Sequence, residues 1–490
     1  MELTRTFMDL LVAFRPAFTE PSFATFQLLV TGWILSMRHR YVTDLIVTSD
    51  SVENGHFSDY HRFFSHAKWD IDDVWRILAG MLIGYFVGAG ATILLAGDDT
   101  LCHKRGLGLF AAGMHHDPLS SSRKLKVFSW GHDWVTLCLV VVNPWWAPGS
   151  VFALPICMRL YRNRQGVTKG KNKKKSSSEK KQEKPLTKRQ RKALKRTERK
   201  KRRVAARQRR CRKTTKTLGK EHLTRPELMR EMLQLVASWF PDRHFLFVGD
   251  SLYTGESVLS NLPANMDMIG AVHPQGALYD LPPKKKPGRG RTPKKGKRLP
   301  TRDQWAADSA QWTAISFDQF GLHGTFETKA RIGLYYTAGK DRPLKFVLTR
   351  DTDGQRPTRI FYCTNLDLEV EEILSTYAKR WAIEVTHHDA KQFLGLEDPA
   401  NRLPLAVHRT APTAMILYSL TVLWYAQHGH AHIQFPNRPW YRQKSKPSFA
   451  DMLTTLRRTS WENELFSVRE APTLWKKAVA RLVFLVSLAG

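Results

Sequence analysis

The chain has 490 residues, 42% of them apolar, and carries 77 Lys and Arg against 44 Asp and Glu, a formal net charge of +33. The apolar content, with 15 Trp and 25 Phe, excludes a wholly disordered chain, and the length allows two to four domains. A positive field of this size attracts phosphates, so we expect a polyanionic partner, with nucleic acid as the first candidate.

The first 85 residues alternate short apolar stretches with polar breaks, which predicts several helices. This helical domain could bind DNA ends or simply support the core, and both interpretations are open. Residues 77–97 form an uncharged run with the length of a membrane-spanning helix. Its glycines and β-branched tail instead favour a helix that ends and runs into a buried strand. We therefore expect no membrane span, and we recognise no signal peptide.

β-rich runs follow at 91–97, 134–142 and 150–161, which predict an antiparallel meander at the start of a sheet. Beyond them, residues 168–217 hold 25 Lys and Arg against 3 Glu. Such a segment is too charged to bury a core. We interpret it as a disordered arm that binds phosphates without reading sequence.

An amphipathic helix at 225–240 leads into an apolar strand at 244–250. A helix followed by a strand buried on both faces is typical of a helix-covered sheet, so we predict a mixed α/β core. A second basic loop at 284–298, rich in Pro and Gly, opens a β-leaning insertion. The sheet resumes near 359–365, and a long apolar helix and further helices follow from about residue 405.

These patterns divide the chain into six segments. The predicted boundaries are 1–85 for the N-terminal helical domain, 86–275 and 346–405 for the two parts of the core, 163–222 for the basic insertion, 276–345 for the β-rich insertion and 406–490 for the helical C-terminal region.

Acidic residues stand where the predicted strands end. Asp98 and Asp99 follow one strand, and Asp250 follows another. Because neighbouring parallel strands end at the same edge of a sheet, we expect these carboxylates to converge there with a helix-borne glutamate, Glu384. Three carboxylates suit Mg²⁺ or Mn²⁺ rather than zinc, and two such ions can catalyse phosphodiester cleavage. Taken singly, each acid is more often a helix cap or a loop residue.

A helix predicted to begin near Leu368 carries four polar residues at steps of three, four and seven. At that spacing Tyr377, Arg380, Glu384 and Lys391 fall on a single helix face. An exposed Arg–Glu pair on a surface helix explains the spacing as well as catalysis does.

The pattern Y-x2-R-x3-E-x6-K from Tyr377 to Lys391 resembles the signature of bacterial insertion-sequence transposases, which carry an Asp-Asp-Glu (DDE) triad on a ribonuclease-H-like fold. The motifs "GDDT" at 97–100 and "GDSLYTG" at 249–255 resemble the two aspartate motifs of that family, in the same order. The resemblance covers roughly residues 60–460. It implies an α/β, ribonuclease-H-like catalytic fold with a β-rich insertion and helical regions at both ends.

The resemblance also implies a set of site residues. Catalytic metal ligands would be Asp99, Asp250 and Glu384, and DNA phosphates would be bound by Tyr377, Arg380 and Lys391. Asp99 is preferred to Asp98 because the first aspartate of the family resembles the one directly before a threonine, here Thr100. The expected cofactor is Mg²⁺ or Mn²⁺, with two ions in the site.

The activity implied is DNA transposition. Water attacks a phosphodiester at the end of the element, and the released 3′-hydroxyl then attacks target DNA. The implied partner is double-stranded DNA, bound by a homodimer in a synaptic complex in the bacterial cytoplasm, near the nucleoid. Two alternatives stay open, namely a ribonuclease-H-like nuclease or resolvase without strand transfer and a non-catalytic basic protein that binds nucleic acid.

Other metal chemistry is weakly indicated. His430 and His432 in "HGHAH" form a His-x-His pattern found in some nucleases, but their position after a helix predicts a solvated turn. His387 and His388 share the helix of Glu384 and could support the site. The five scattered cysteines contain no Cys-x-x-Cys pair, so they indicate neither a disulfide framework nor a zinc site and fit a reducing cytoplasm.

Overall fold

The computed structural model describes residues 3–122, 124–163, 222–283, 293–309, 312–319, 322–354, 356–435 and 444–467. Most of the predicted basic arm (164–221) and part of the second basic loop (284–292) lie outside these residues. Within the described part of the chain, thirteen α-helices surround a ten-stranded sheet. The protein is therefore of mixed α/β class, as predicted.

The sheet contains parallel and antiparallel neighbours. Its strands are β1 (Ile93–His103), β2 (Gly113–His116), β3 (Phe128–Val142), β4 (Val151–Tyr161), β5 (Phe245–Gly249), β6 (Met266–Ala271), β7 (Thr313–Gln319), β8 (Leu322–Gly333), β9 (Leu344–Asp351) and β10 (Arg359–Cys363). They lie in the order β2-β3-β1-β5-β6-β10-β9-β8-β7, and β4 pairs with β3. The β1–β5 and β5–β6 pairs are parallel, and the remaining pairs are antiparallel.

Five helices precede the first strand, four lie between strands, and four follow the last strand in the described part of the chain. They are α1 (Arg5–Val12), α2 (Glu20–Leu35), α3 (Val42–Thr48), α4 (Phe57–Ser65), α5 (Ile71–Phe86), α6 (Arg225–Trp239), α7 (Glu256–Leu259), α8 (Arg302–Ala307), α9 (Tyr336–Gly339), α10 (Val370–Lys379), α11 (Ala382–Leu394), α12 (Pro404–Gln427) and α13 (Phe449–Ser467).

The predicted meander of β1, β3 and β4 is confirmed, because β3 pairs antiparallel with both of its neighbours. Most of β3 is buried on both faces, which agrees with the uncharged, β-branched run at 134–142. Strands β7 and β8 of the predicted β-rich insertion continue the main sheet through β9 and β10, and the insertion also contains the short helix α9.

The N-terminal helices share one hydrophobic core with the C-terminal helices. The Trp33 indole donates a hydrogen bond to the carbonyl of Leu394 at 2.8 Å, and the Tyr85 hydroxyl donates to the carbonyl of Ala426 at 3.0 Å. These contacts show that the N-terminal helices support α11 and α12. A role in binding DNA ends stays a prediction.

The apolar run at 77–97 behaves as predicted, since α5 ends at Phe86 and the buried strand β1 begins at Ile93. None of the helices in the described ranges has both the length and the apolar character needed to cross a membrane.

Candidate active site

Asp98 and Asp99 lie in the middle of β1, not after its end as we expected. The strand continues to His103 because it stays paired with β3 there. Its parallel partner β5 stops earlier, at Gly249 opposite Gly97, and Asp250 follows directly. Side chains alternate between the two faces of a strand, so Asp98 and Asp99 point to opposite faces of the sheet.

Asp98 faces the helices that carry Glu384. The guanidinium of Arg380 donates from Nη1 to Asp98 Oδ2 at 2.6 Å and from Nη2 to Glu384 Oε1 at 3.0 Å. One cation therefore joins the two carboxylates. The Arg380 and Asp98 side chains are largely buried, and the Glu384 side chain is 36% exposed.

Asp99 points to the other face, towards α6. Its Oδ1 accepts a hydrogen bond from the Tyr253 hydroxyl at 2.5 Å, and its Oδ2 lies 3.4 Å from Arg225 Nε. The same Arg225 Nε donates to Asp133 Oδ2 at 2.6 Å. The geometry therefore favours Asp98 rather than Asp99 as the partner of Glu384. This difference follows from the alternation of side chains along β1, and the assignment of Asp99 as a metal ligand stays a prediction.

Asp250 is held in a tight turn after β5. Its Oδ1 accepts hydrogen bonds from the backbone N–H groups of Leu252 at 2.9 Å and Tyr253 at 3.3 Å. The carboxylate is close enough to both β1 aspartates for its charge to raise the pKa of each. Asp250 therefore lies beside β1, where the sequence analysis placed it.

Burial raises the pKa of both aspartates on β1, and neighbouring carboxylates raise it further. Burial raises the pKa of Asp98 to about 7, and the charges of Asp99 and Asp250 add to this, against the opposing effect of Arg380. Burial also raises the pKa of Asp99 to about 6, with Asp133 as the next contributor. A site of this kind favours a bound cation, because a positive charge stabilises the ionised carboxylates.

The helix predicted from Leu368 is in fact two helices. Helix α10 ends at Lys379 and α11 begins at Ala382. At the junction, backbone N–H groups bond three residues back instead of four, as in Arg380 to Tyr377 and Glu384 to Trp381. The prediction of one continuous helical face is wrong, because Tyr377 and Glu384 lie on different helices. The ion pair between Arg380 and Glu384 is nevertheless present across the junction of the two helices.

Tyr377 and Lys391 both have partners within the protein. The Tyr377 ring packs against the Phe361 ring with centroids 4.5 Å apart, and burial raises its pKa. Lys391 Nζ donates to the carbonyl of Leu101 at 2.7 Å and lies 3.8 Å from Glu397. Lys391 thus ties α11 to β1. Whether these side chains also bind DNA stays a prediction.

The histidines suggested by the sequence do not join the acids in one cluster. His387 is buried, and burial lowers its pKa to about 3, whereas His388 is exposed. His430 and His432 lie in a short 3₁₀ helix, Gly429–His432, which agrees with the predicted turn. The four described cysteines are free thiols and buried.

In the described ranges, no three His, Cys, Asp or Glu side chains are arranged as a ready-made metal site. The donor chemistry at Asp98, Asp250 and Glu384 nevertheless fits a hard divalent cation, since carboxylate oxygens are the preferred ligands of Mg²⁺ and Mn²⁺. Arg380 occupies one oxygen of each of two carboxylates, Asp98 Oδ2 and Glu384 Oε1, so a cation that binds those oxygens would have to displace it.

Sequence reasoning missed Tyr253, Arg225 and Asp133. Tyr253 stands three residues after Asp250 inside the quoted motif, and that spacing was the available signal. The sequence contains no comparable signal for Asp133 and Arg225, because their pairing depends on the contact between β3 and α6 in the folded protein.

Comparisons with known proteins give two family matches. Residues 13–330 match the family described as DDE superfamily endonuclease, and residues 330–421 match the family described as archaeal putative transposase ISC1217. A search of curated proteins gave no match. A cryo-EM structure of the piggyBac transposase synaptic complex with hairpin DNA is 12% identical, with a TM-score of 0.40 over 99% of this chain and 81% of that chain. A likeness at that level carries no argument about function.

Proposed function

This chain belongs to the DDE superfamily of endonucleases, and we propose that it is a DNA transposase that cleaves the ends of its element and joins them to target DNA. The match to the archaeal transposase family over residues 330–421 supports this proposal. The Tyr-Arg-Glu-Lys signature and a bacterial, cytoplasmic setting remain part of the proposal.

One observation carries the proposal. Arg380 joins Asp98 on β1 to Glu384 on α11, and Asp250 follows the neighbouring strand β5. Two acids distant in sequence thus share one arginine, and the charge of the third, Asp250, reaches Asp98. On this ground we assign the catalytic triad to Asp98, Asp250 and Glu384. The strand order β4-β3-β1-β5-β6, with β3 antiparallel to β1, supports a ribonuclease-H-like core.

The triad would hold two Mg²⁺ or Mn²⁺ ions, which supply activation of the attacking oxygen and stabilisation of the leaving oxygen. Asp98, Asp250 and Glu384 would hold these ions through their carboxylate oxygens. Arg380, once released from the carboxylates, can donate two parallel hydrogen bonds to a phosphate. Tyr377 lies beside it and offers a further hydroxyl donor.

DNA binding would be distributed over the surface and the basic segments. Residues 168–217, with 25 Lys and Arg against 3 Glu, supply most of the net charge of +33, which favours salt-sensitive binding to the DNA backbone. We expect a homodimer to hold two element ends in a synaptic complex.

The test uses the full-length protein with duplex DNA that spans each junction between the element and its flank. Wild type in Mg²⁺ should cleave at the junctions and join the 3′ ends to a target plasmid, while Asp250→Asn and Glu384→Gln should lose both steps. Glu371→Gln, an exposed glutamate on α10, is the matched control and should keep full activity. Cleavage without joining would indicate a nuclease, and full activity of Glu384→Gln would disprove the site.

A further inference from the structure

We propose that Tyr253 and Asp99 are positioning residues, whose hydrogen bond fixes the turn of Asp250 against β1 and so sets the spacing between Asp250 and Asp98. The inference rests on the proposed function, in which Asp98 and Asp250 bind the same metal ions. It assigns different roles to the two adjacent acids: Asp98 binds metal, while Asp99 holds the neighbouring ligand in place.

Tyr253 is built into the turn that carries Asp250. Its side chain is fully buried, and its backbone N–H donates to Asp250 Oδ1 at 3.3 Å. Its hydroxyl reaches across to Asp99 Oδ1 at 2.5 Å. A displacement of Tyr253 would therefore move a direct hydrogen-bond partner of the Asp250 carboxylate.

The same turn is anchored elsewhere to other strands. The Thr254 hydroxyl donates to the carbonyl of Asp250 at 2.9 Å and lies 3.1 Å from the carbonyl of Ala271 on β6. The Tyr362 hydroxyl on β10 donates to the carbonyl of Thr254 at 2.6 Å. These bonds hold the turn to β6 and β10, on the side away from β1.

The backbone ladder between β1 and β5 stops before the acids. The last paired residues are Gly97 and Gly249, so Asp98 and Asp250 both lie beyond the parallel pairing. Their separation is consequently set by side-chain contacts, and the Tyr253–Asp99 hydrogen bond spans this gap.

Asp99 is itself held rigidly on the face opposite Asp98. Arg225 contacts its Oδ2 at 3.4 Å, binds Asp133 on β3, and stacks over the Tyr161 ring on β4 at 4.3 Å from the centroid. Asp99 thus offers Tyr253 an acceptor fixed by three strands and α6. If Asp99 were mobile, its hydrogen bond to Tyr253 would not fix the position of the Asp250 turn.

The test measures Mn²⁺ binding to the full-length protein by electron paramagnetic resonance, without DNA or turnover. Tyr253→Phe removes only the hydroxyl, and Asp99→Leu removes the acceptor. Each should weaken Mn²⁺ binding by about tenfold or more, the loss typical of residues that orient metal ligands. The double variant should bind no more weakly than either single variant, because both remove the same bond. Asp99→Asn retains an acceptor oxygen and should bind Mn²⁺ within about threefold of wild type, which corresponds to less than one kcal/mol.

A matched control separates positioning from a general loss of folding. Tyr60→Phe also removes a buried hydroxyl, one that donates to the carbonyl of Ser51 in the N-terminal helices. It should leave Mn²⁺ affinity unchanged, even if its thermal unfolding shifts as much as that of Tyr253→Phe.

Asp98→Asn distinguishes this inference from the proposed function. If Asp98→Asn binds Mn²⁺ as wild type does, the proposed metal site itself is wrong. If Asp98→Asn loses binding while Tyr253→Phe and Asp99→Leu bind normally, the metal site stands and the positioning role is overturned. If Asp99→Asn loses Mn²⁺ binding as completely as Asp98→Asn does, Asp99 is itself a metal ligand. That result would also overturn the positioning role.

Discussion

Removal of the Arg380 guanidinium should destabilise the metal-free protein. In Arg380→Ala, Asp98 and Glu384 face each other without the cation that joins them at 2.6 and 3.0 Å. Two carboxylates separated by the width of a guanidinium group, about 5 Å, repel by about 3 kcal/mol at an effective dielectric constant near 20. Because the Glu384 side chain is 36% exposed, solvent screens part of this. We expect the free energy of unfolding to fall by about 2 kcal/mol.

The loss should depend on pH and on metal. With Arg380 in place, burial raises the pKa of Asp98 to about 7 against the opposing effect of the guanidinium, so Arg380→Ala should raise this pKa further. The wild-type ion pair between Arg380 and Asp98 is more fully formed at pH 8 than at pH 6, where Asp98 takes up a proton even with Arg380 present. The destabilisation should therefore be larger at pH 8 than at pH 6. Added Mn²⁺ should stabilise Arg380→Ala more than wild type, because the ion no longer competes with the guanidinium for the same oxygens.

The assay is urea unfolding in EDTA and in Mn²⁺, followed by circular dichroism. Arg15→Ala is a suitable control, since Arg15 pairs with Glu20 at 2.8 Å on the open surface, where such pairs contribute little. An Arg380→Ala protein as stable as wild type in EDTA at pH 8, or one that gains less from Mn²⁺ than wild type does, would refute the reasoning.

Three further predictions concern single side chains. Burial lowers the pKa of His132 to about 4, so the folded protein resists protonation of this side chain. The free energy of unfolding, measured in urea, should therefore fall as the pH drops below about 6.5, by about 2 kcal/mol at pH 5. The His132→Gln variant should lose less stability over the same pH range. Lys391→Met leaves the carbonyl of Leu101 without its donor and should lower the free energy of unfolding by about 1–2 kcal/mol in the same assay. Loss of DNA affinity at unchanged stability would contradict this structural role of Lys391. Tyr377→Phe keeps the packing on Phe361, so its free energy of unfolding should lie within about 1 kcal/mol of the wild-type value. It should bind junction DNA more weakly in fluorescence anisotropy. Unchanged DNA affinity would exclude a contact between the Tyr377 hydroxyl and a phosphate.

The sequence was informative wherever a pattern is local. Strand β4 and the amphipathic helix α6 were predicted close to their observed bounds, whereas β3 begins at Phe128, ahead of the run predicted at 134–142. The long apolar helix α12 was recognised from its composition, and it is buried along most of its length. Local periodicity decides these elements, because each has one dominant environment.

The sequence was less informative where pairing over a distance decides the outcome. The length of β1 depends on its pairing with β3, and without that pairing the acids look like loop residues after a strand. The choice between Asp98 and Asp99 depends on which face of β1 meets α11, and a motif cannot supply this. The interruption between α10 and α11 likewise lacks a Pro or Gly that would mark it. Spacing found the Arg380–Glu384 pair, but only the fold shows that Asp98 joins it.

The central claim is that Asp98, Asp250 and Glu384 bind the same metal ions, and iron-mediated cleavage tests it most directly. Fe²⁺ would replace Mg²⁺ in the full-length protein, and ascorbate with peroxide would generate hydroxyl radicals that cut the backbone beside the bound ion. We predict cuts near all three acids, suppressed by excess Mg²⁺ and lost in Asp98→Asn. Cuts near only one acid, or a pattern unchanged in Asp98→Asn, would contradict the shared site.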